Sequence, residues 1–166
     1  MTSAPAPPGA PAQAPLRALV VDDIPEICNM YRALFRRIRG IDVELTVETD
    51  PAAAIARLSE TAYDLVVSDF RMKGADGIDV LRAARERNPA GRRVLMTGYN
   101  EIPASIQRIR EARIDAYLQK PLRTQELLVL ISDLLRGDER ALAAYREHAG
   151  ELELVAQREE LGGRAT

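Results

Sequence analysis

Asp64-Leu65-Val66-Val67-Ser68-Asp69, followed at once by Phe70-Arg71-Met72-Lys73-Gly74-Ala75-Asp76-Gly77, is the stretch on which the reading turns. A short apolar run of β-compatible residues bounded by a Gly-rich turn predicts a buried strand. Its last residue is a carboxylate. In open α/β sheets ligands bind at the carboxyl edge of the strands. The function therefore depends on what else the chain delivers to the edge where Asp69 stands.

Working outward from that strand, the same pattern of apolar run and terminal acid occurs earlier, in Leu16-Arg17-Ala18-Leu19-Val20-Val21 followed by Asp22-Asp23. Pro25 then suits the first turn of a helix, and Ile27, Met30, Tyr31, Leu34, Phe35 and Ile38 recur at helical spacing until Gly40. Ile41 to Glu48 alternates apolar and polar residues, which predicts an edge strand. Asp50-Pro51 reads as a cap and first position of a second helix, with Ala54, Ile55 and Leu58 as its apolar stripe. Beyond the central turn, Ile78, Val80, Leu81 and Ala84 predict a third helix that stops near Asn88-Pro89-Ala90-Gly91.

Arg92 to Met96 reads as a fourth strand ending at Thr97-Gly98, and Ile102 to Ala112 as a weaker helix. Ile114 to Leu118 is a fifth strand that leads to Gln119-Lys120-Pro121, and Thr124 to Arg136 a fifth helix. Strands alternating with helices at this spacing imply βαβ units with right-handed crossovers. The expected architecture is α/β: a doubly wound five-stranded parallel sheet sandwiched by five helices.

Such a sheet gathers Asp22, Asp23, Asp69, Thr97 and Lys120 on one edge. Carboxylates brought together repel unless a cation sits among them, and an oxygen-only donor set favours a hard ion such as Mg²⁺. Lys120 adds a point charge suited to a phosphoryl oxygen, and Thr97 a hydroxyl. This is equipment for phosphoryl transfer onto an aspartate.

The composition fits such a domain. The chain has 166 residues, 46% hydrophobic, with 23 basic against 25 acidic side chains and a formal net charge of −2. That balance gives no sign of a nucleic-acid surface. The single cysteine, Cys28, excludes a disulfide framework and favours a cytoplasmic setting; it reads as a small buried hydrophobe. Residues 1–15, uncharged and rich in Ala and Pro, read as a disordered leader, and no apolar run is long enough to span a membrane. His148, the one histidine, reads as a solvated helix residue.

The pieces Val20-Val21-Asp22-Asp23, Asp64 to Met72, Gly74-Ala75-Asp76-Gly77-Ile78, Leu95-Met96-Thr97-Gly98 and Ala116 to Pro121 together resemble the receiver domain of two-component response regulators. The resemblance covers residues 16 to 136 and implies a flavodoxin-like fold. It implies that Asp69 accepts a phosphoryl group from a histidine kinase or phosphotransfer protein. Asp23, Asp69 and the backbone carbonyl of Arg71 would bind Mg²⁺, with Asp22 assisting through water. Thr97 and Lys120 would hold phosphoryl oxygens, and Tyr117 would turn inward when Thr97 moves. Arg71 and Tyr99 occupy the positions that tune acyl-phosphate lifetime, and Lys73 stands where the family usually has proline.

Residues 137–166 form a separate expectation. Gly137-Asp138 reads as a helix end and a new cap, after which Leu142, Tyr145, Ala149, Leu152 and Ala156 make a narrow apolar seam on an acidic helix. No output domain is recognisable there. The expected function is a phosphorylation-dependent switch that changes its contact with a downstream protein or forms a homodimer, through this helix or through the face of the fourth helix, fifth strand and fifth helix. Two alternatives stand beside it. One is the regulatory fragment of a longer response regulator. The other is an aspartyl-phosphate phosphatase, which Arg71 disfavours because those enzymes resemble an Asp-x-Asp arrangement with a second carboxylate there.

Overall fold

The computed structural model describes residues 14–98 and 105–163. In chain order the elements are β1 (Leu16–Val21), α1 (Pro25–Phe35), β2 (Val43–Glu48), α2 (Pro51–Glu60), β3 (Leu65–Asp69), α3 (Gly77–Arg87), β4 (Arg92–Thr97), α4 (Ile106–Ala112), β5 (Ala116–Gln119), α5 (Thr124–Arg136) and α6 (Glu139–Gly163). The five strands form one parallel sheet in the order β2-β1-β3-β4-β5. The order reverses between β1 and β3, and a crevice opens at the carboxyl ends of strands where winding changes direction.

Alternation along the central strands builds two cores. Leu19 and Val21 of β1, Val66 of β3 and Leu95 of β4 pack with α2, α3 and α4, whereas Ala18, Val20, Leu65, Val67, Val94 and Met96 pack with α1 and α5. Every residue of β3 is buried, as expected for a central parallel strand covered on both faces.

Local chemistry sets most of the boundaries. Asp50 caps α2 through Ala52 N–H, Asp76 caps α3 through Ile78 and Asp79 N–H, and Asp138 caps α6 through Arg140 and Ala141 N–H. Gly137 ends α5 at φ 65°, the left-handed region that suits glycine. Other boundaries differ from the sequence reading. Helix α1 ends at Phe35, because Arg37 N–H and Ile38 N–H bond three residues back and tighten the chain into turns. Strand β2 begins at Val43, two residues later than the alternation suggested, and β5 runs Ala116–Gln119 because pairing to β4 begins at Ala116 opposite Val94. The start of the fourth helix at Ile102 and nearly all of the leader lie outside the described residues.

Helix α6 crosses the open β5 edge of the sheet. Leu142 belongs to the α1/α5 core and Ala156 to the α2/α3/α4 core, so the helix joins both layers beside β5. Ala149, between them, is also buried. Tyr145 donates to Asp133 Oδ2 of α5 at 2.8 Å. Burial, then the neighbouring Asp133 carboxylate, pushes its phenol up to about 12. The raised value means that the neutral phenol stabilises the docked helix below the ordinary tyrosine range, and that this contribution is lost as pH rises from about 10 toward 12. The absorbance difference between the parent and Tyr145→Phe is expected to titrate near pH 12; titration near 10 would contradict the contact.

Candidate functional site

Parallel register brings the strand ends together. Val21 pairs with Ser68, so Asp22 and Asp23 leave β1 beside Asp69, while Asp69 pairs with Met96 and places Thr97 one residue further out on β4. Lys120 N–H donates to Thr97 O at 3.1 Å, which carries the end of β5 to the same edge.

Asp22, Asp23 and Asp69 each offer a carboxylate oxygen within 4.8 Å of the others. Asp22 is 1% exposed and Asp69 3%. Asp22 Oδ1 accepts from Ile24 N–H at 2.9 Å, but its Oδ2 is buried without a hydrogen-bond partner. Burial raises the Asp22 carboxyl above its ordinary range; the Ile24 amide opposes this and the charge of Asp69 adds to it. Asp69 Oδ1 accepts from Phe70 N–H at 2.9 Å and lies 2.6 Å from Lys120 Nζ. Burial is again the dominant influence and holds the Asp69 carboxyl above its usual value in spite of Lys120. Even a close ammonium leaves this concentration of negative charge short of compensation. Three oxygen donors and an orphaned buried oxygen fit a hard divalent cation such as Mg²⁺.

The backbone around Asp69 is tightly fixed. A Cβ on Gly77 would overlap the Asp69 carbonyl oxygen, so only glycine lets α3 start this close to β3. Gly77 N–H closes the turn by donating to Phe70 O at 2.9 Å. Asp23 Oδ2 accepts from Lys73 N–H at 3.4 Å, so the residue that departs from proline uses an amide that proline lacks.

The remaining expected residues occupy varied settings. Thr97 is buried, its Oγ1 donating to Gly98 O at 2.9 Å. Arg71 is exposed in the turn after β3. Tyr117 is half-buried on β5, and its hydroxyl donates to Glu153 Oε1 of α6 at 2.9 Å. Tyr99 lies outside the described residues. His148 is exposed near Glu151, and Cys28 is buried with its thiol against Asp22 O.

Two supports were not legible in the sequence. Arg108 of α4 makes ion pairs to Asp76 at 2.7 Å and Asp79 at 2.9 Å, clamping the start of α3 behind Asp69. An arginine more than twenty residues from its partners carries no local signal. Tyr31, read as one member of an apolar stripe, is fully buried beneath the site and donates to Met96 Sδ at 2.7 Å. Burial first, then Asp22 and Asp69, raises its phenol well above normal, so it remains a neutral floor under the carboxylates.

Asp22→Asn removes one of the crowded charges while its amide can still meet the neighbouring carboxylates. It is expected to raise the metal-free unfolding midpoint by about 2–5 °C and to reduce stabilisation by Mg²⁺. A lowered midpoint with undiminished Mg²⁺ stabilisation would contradict the electrostatic reading. Gly77→Ala is expected to cost about 1–3 kcal/mol in urea unfolding, since α3 must move off the Asp69 carbonyl; a neutral effect would contradict the close approach.

Residues 18–132 match the response regulator receiver domain family. The chain is 34% identical over 137 residues to the transcriptional regulatory protein ZraR of Salmonella typhimurium, covering 81% of this chain and 28% of that protein. It is 30% identical over 122 residues to the transcriptional regulatory protein TrcR of Mycobacterium tuberculosis, covering 74% of this chain and 46% of the relative. The chain thus spans less than half the length of either. Among solved structures, the signal receiver domain of an HD domain-containing protein from Pseudomonas fluorescens Pf-5 superposes with TM-score 0.61 at 26% identity, over 83% of this chain and 99% of that one. A CheY-like receiver domain protein from Methanospirillum hungatei JF-1 gives TM-score 0.65 at 24% identity, over 76% and 98%. The match over most of the chain, together with the carboxylate cluster at the sheet edge, establishes that this protein belongs to the response regulator receiver domain family.

Proposed function

We propose that the chain is a phosphorylation-dependent two-component switch whose acceptor is Asp69. The observation that carries this reading is the crowding of Asp22, Asp23 and Asp69 within 4.8 Å around a buried, unpartnered oxygen, with Lys120 against the acceptor. Asp22, Asp23, Asp69 and the backbone carbonyl of Arg71 would hold Mg²⁺, which supplies neutralisation of the charge on the transferring group.

In the transfer, an Asp69 oxygen forms a bond to phosphorus as the P–N bond to a donor histidine breaks; the departing nitrogen keeps the electron pair and takes a proton from solvent. Phe70 N–H and Lys120 Nζ orient Asp69 by holding Oδ1, which leaves Oδ2 as the attacking atom. Lys120 and the Thr97 hydroxyl then stabilise phosphoryl oxygens, positioning being the main source of rate. The acyl phosphate, at about −2, replaces the single charge of the Asp69 carboxylate, and the net gain of about one negative charge, placed further out, shifts a two-state equilibrium that Thr97 and Tyr117 report. Arg71 and Tyr99 tune the phosphoryl lifetime. The role is regulatory, with self-phosphorylation and self-dephosphorylation as its chemistry, in partnership with a histidine kinase or phosphotransfer protein and a downstream protein.

The greater length of the relatives supports a second reading, in which this chain is the regulatory part of a longer response regulator. Among the described residues no helix is long and apolar enough to cross a membrane.

With Mg²⁺ and acetyl phosphate, intact mass is expected to increase by one phosphoryl group in the parent, not to change in Asp69→Asn, and to increase much more slowly in Lys120→Ala. An equal gain in Asp69→Asn would overturn the assignment.

A further inference from the structure

Helix α6 is anchored by two sets of polar contacts, whose residues Arg93, Arg110, Asp115, Arg146 and Glu153 line one pocket beside the start of β5. Toward its start, Arg146 donates from Nε and Nη2 to Asp115 Oδ1 at 2.9 and 2.8 Å. Asp115 is 4% exposed, and its Oδ2 accepts from Arg93 N–H at 2.9 Å. Asp115 and Arg93 stand where β5 and β4 begin, at the end of the sheet remote from Asp69. Tyr145 ties the same half of the helix to α5.

The second set lies further along. The Glu153 side chain, 18% exposed, accepts from the Tyr117 hydroxyl at 2.9 Å and lies 3.7 Å from Arg110 Nε. Arg110 also donates to Gln157 Oε1 at 2.9 Å. Both partners sit on elements coupled to the site. Tyr117 is three residues before Lys120 on β5, and Arg110 is on α4, the helix after the strand that ends in Thr97. Buried Ala156 packs this half of the helix into the α2/α3/α4 core.

We infer that α6 is the resting occupant of the α4–β5–α5 face, latched there by Glu153 across Tyr117 and Arg110, and that phosphorylation of Asp69 releases its second half, residues 150–163. The inference rests on the switch proposed above. When the Tyr117 ring turns inward, its hydroxyl leaves Glu153, and a largely desolvated carboxylate loses one of its two partners. Loss of one charge-assisted hydrogen bond shifts the docked-to-free ratio by about tenfold or more. Arg146 and Tyr145 keep the first half, residues 139–149, in place, because their partners Asp115 and Asp133 are not contacted by the Tyr117 hydroxyl and keep their bonds when it leaves Glu153. The α4–β5–α5 face is thereby covered at rest by the chain's own acidic helix and uncovered by the signal.

Coupling of this kind is reciprocal. A variant with a weakened latch must favour the phosphorylated form, read here as binding of beryllofluoride with Mg²⁺, a mimic of the phosphoryl group.

Amide hydrogen exchange on the full chain tests the inference. Adding beryllofluoride and Mg²⁺ is expected to speed exchange in residues 150–163 about tenfold, leave 139–149 unchanged and protect amides around Asp69. Glu153→Gln is expected to speed exchange in 150–163 without any ligand, to keep the exchange of β1 and β3 unchanged, and to bind beryllofluoride several-fold more tightly. Protection around Asp69 with unchanged exchange in 150–163 would overturn the latch alone. Unchanged amides around Asp69 would overturn the reading of the site and the latch with it. Release of all of α6 together, or capture of the freed helix as a dimer in sedimentation without faster exchange, would also contradict it.

Discussion

Repulsion among Asp22, Asp23 and Asp69 is the constraint on which the rest of the structure depends. Carboxylates so close, two of them buried, do not assemble by mutual attraction. They are held by the register of β1 against β3 and by the close approach of Gly77 to the Asp69 carbonyl. The two cores of aliphatic side chains on either face of the sheet provide the stability that maintains this arrangement. Lys120 offsets part of the charge, yet both buried carboxyls remain raised. The site is therefore short of positive charge, a deficit that the proposed Mg²⁺ would meet.

Much of this was legible in the sequence because the relevant signals are local. Apolar runs ending in Asp23, Asp69, Thr97 and Lys120 mark strand ends, and parallel connectivity then forces those ends to one edge. Asp50, Asp138 and Gly137 similarly carry their capping roles in a few residues of context. The expectation that β2 is an edge strand followed from its alternation, and the strand order agrees.

What escaped the sequence depends on contacts between distant segments. Arg108 reaching Asp76 and Asp79, and Tyr31 lying under the carboxylates, involve residues with ordinary helical spacing. The same holds for α6. Its seam of Leu142, Ala149 and Ala156 announced a packed helix but not its seat, which is fixed by Asp115, Asp133, Tyr117 and Arg110 on other elements. A helix laid over β5 also covers the exposed backbone of an edge strand, so it serves the fold whether or not it responds to the signal.

The central claim is that Asp69, among all the acids of the chain, is the group that becomes covalently modified. Treating the phosphodonor-exposed protein with borohydride, which reduces an acyl phosphate to the alcohol, and mapping the peptides by mass spectrometry tests this directly. The account predicts conversion of Asp69 to homoserine and of no other acid. Conversion at Asp22 or Asp23, or none at Asp69 under conditions where the intact mass shows a phosphoryl gain, would contradict it.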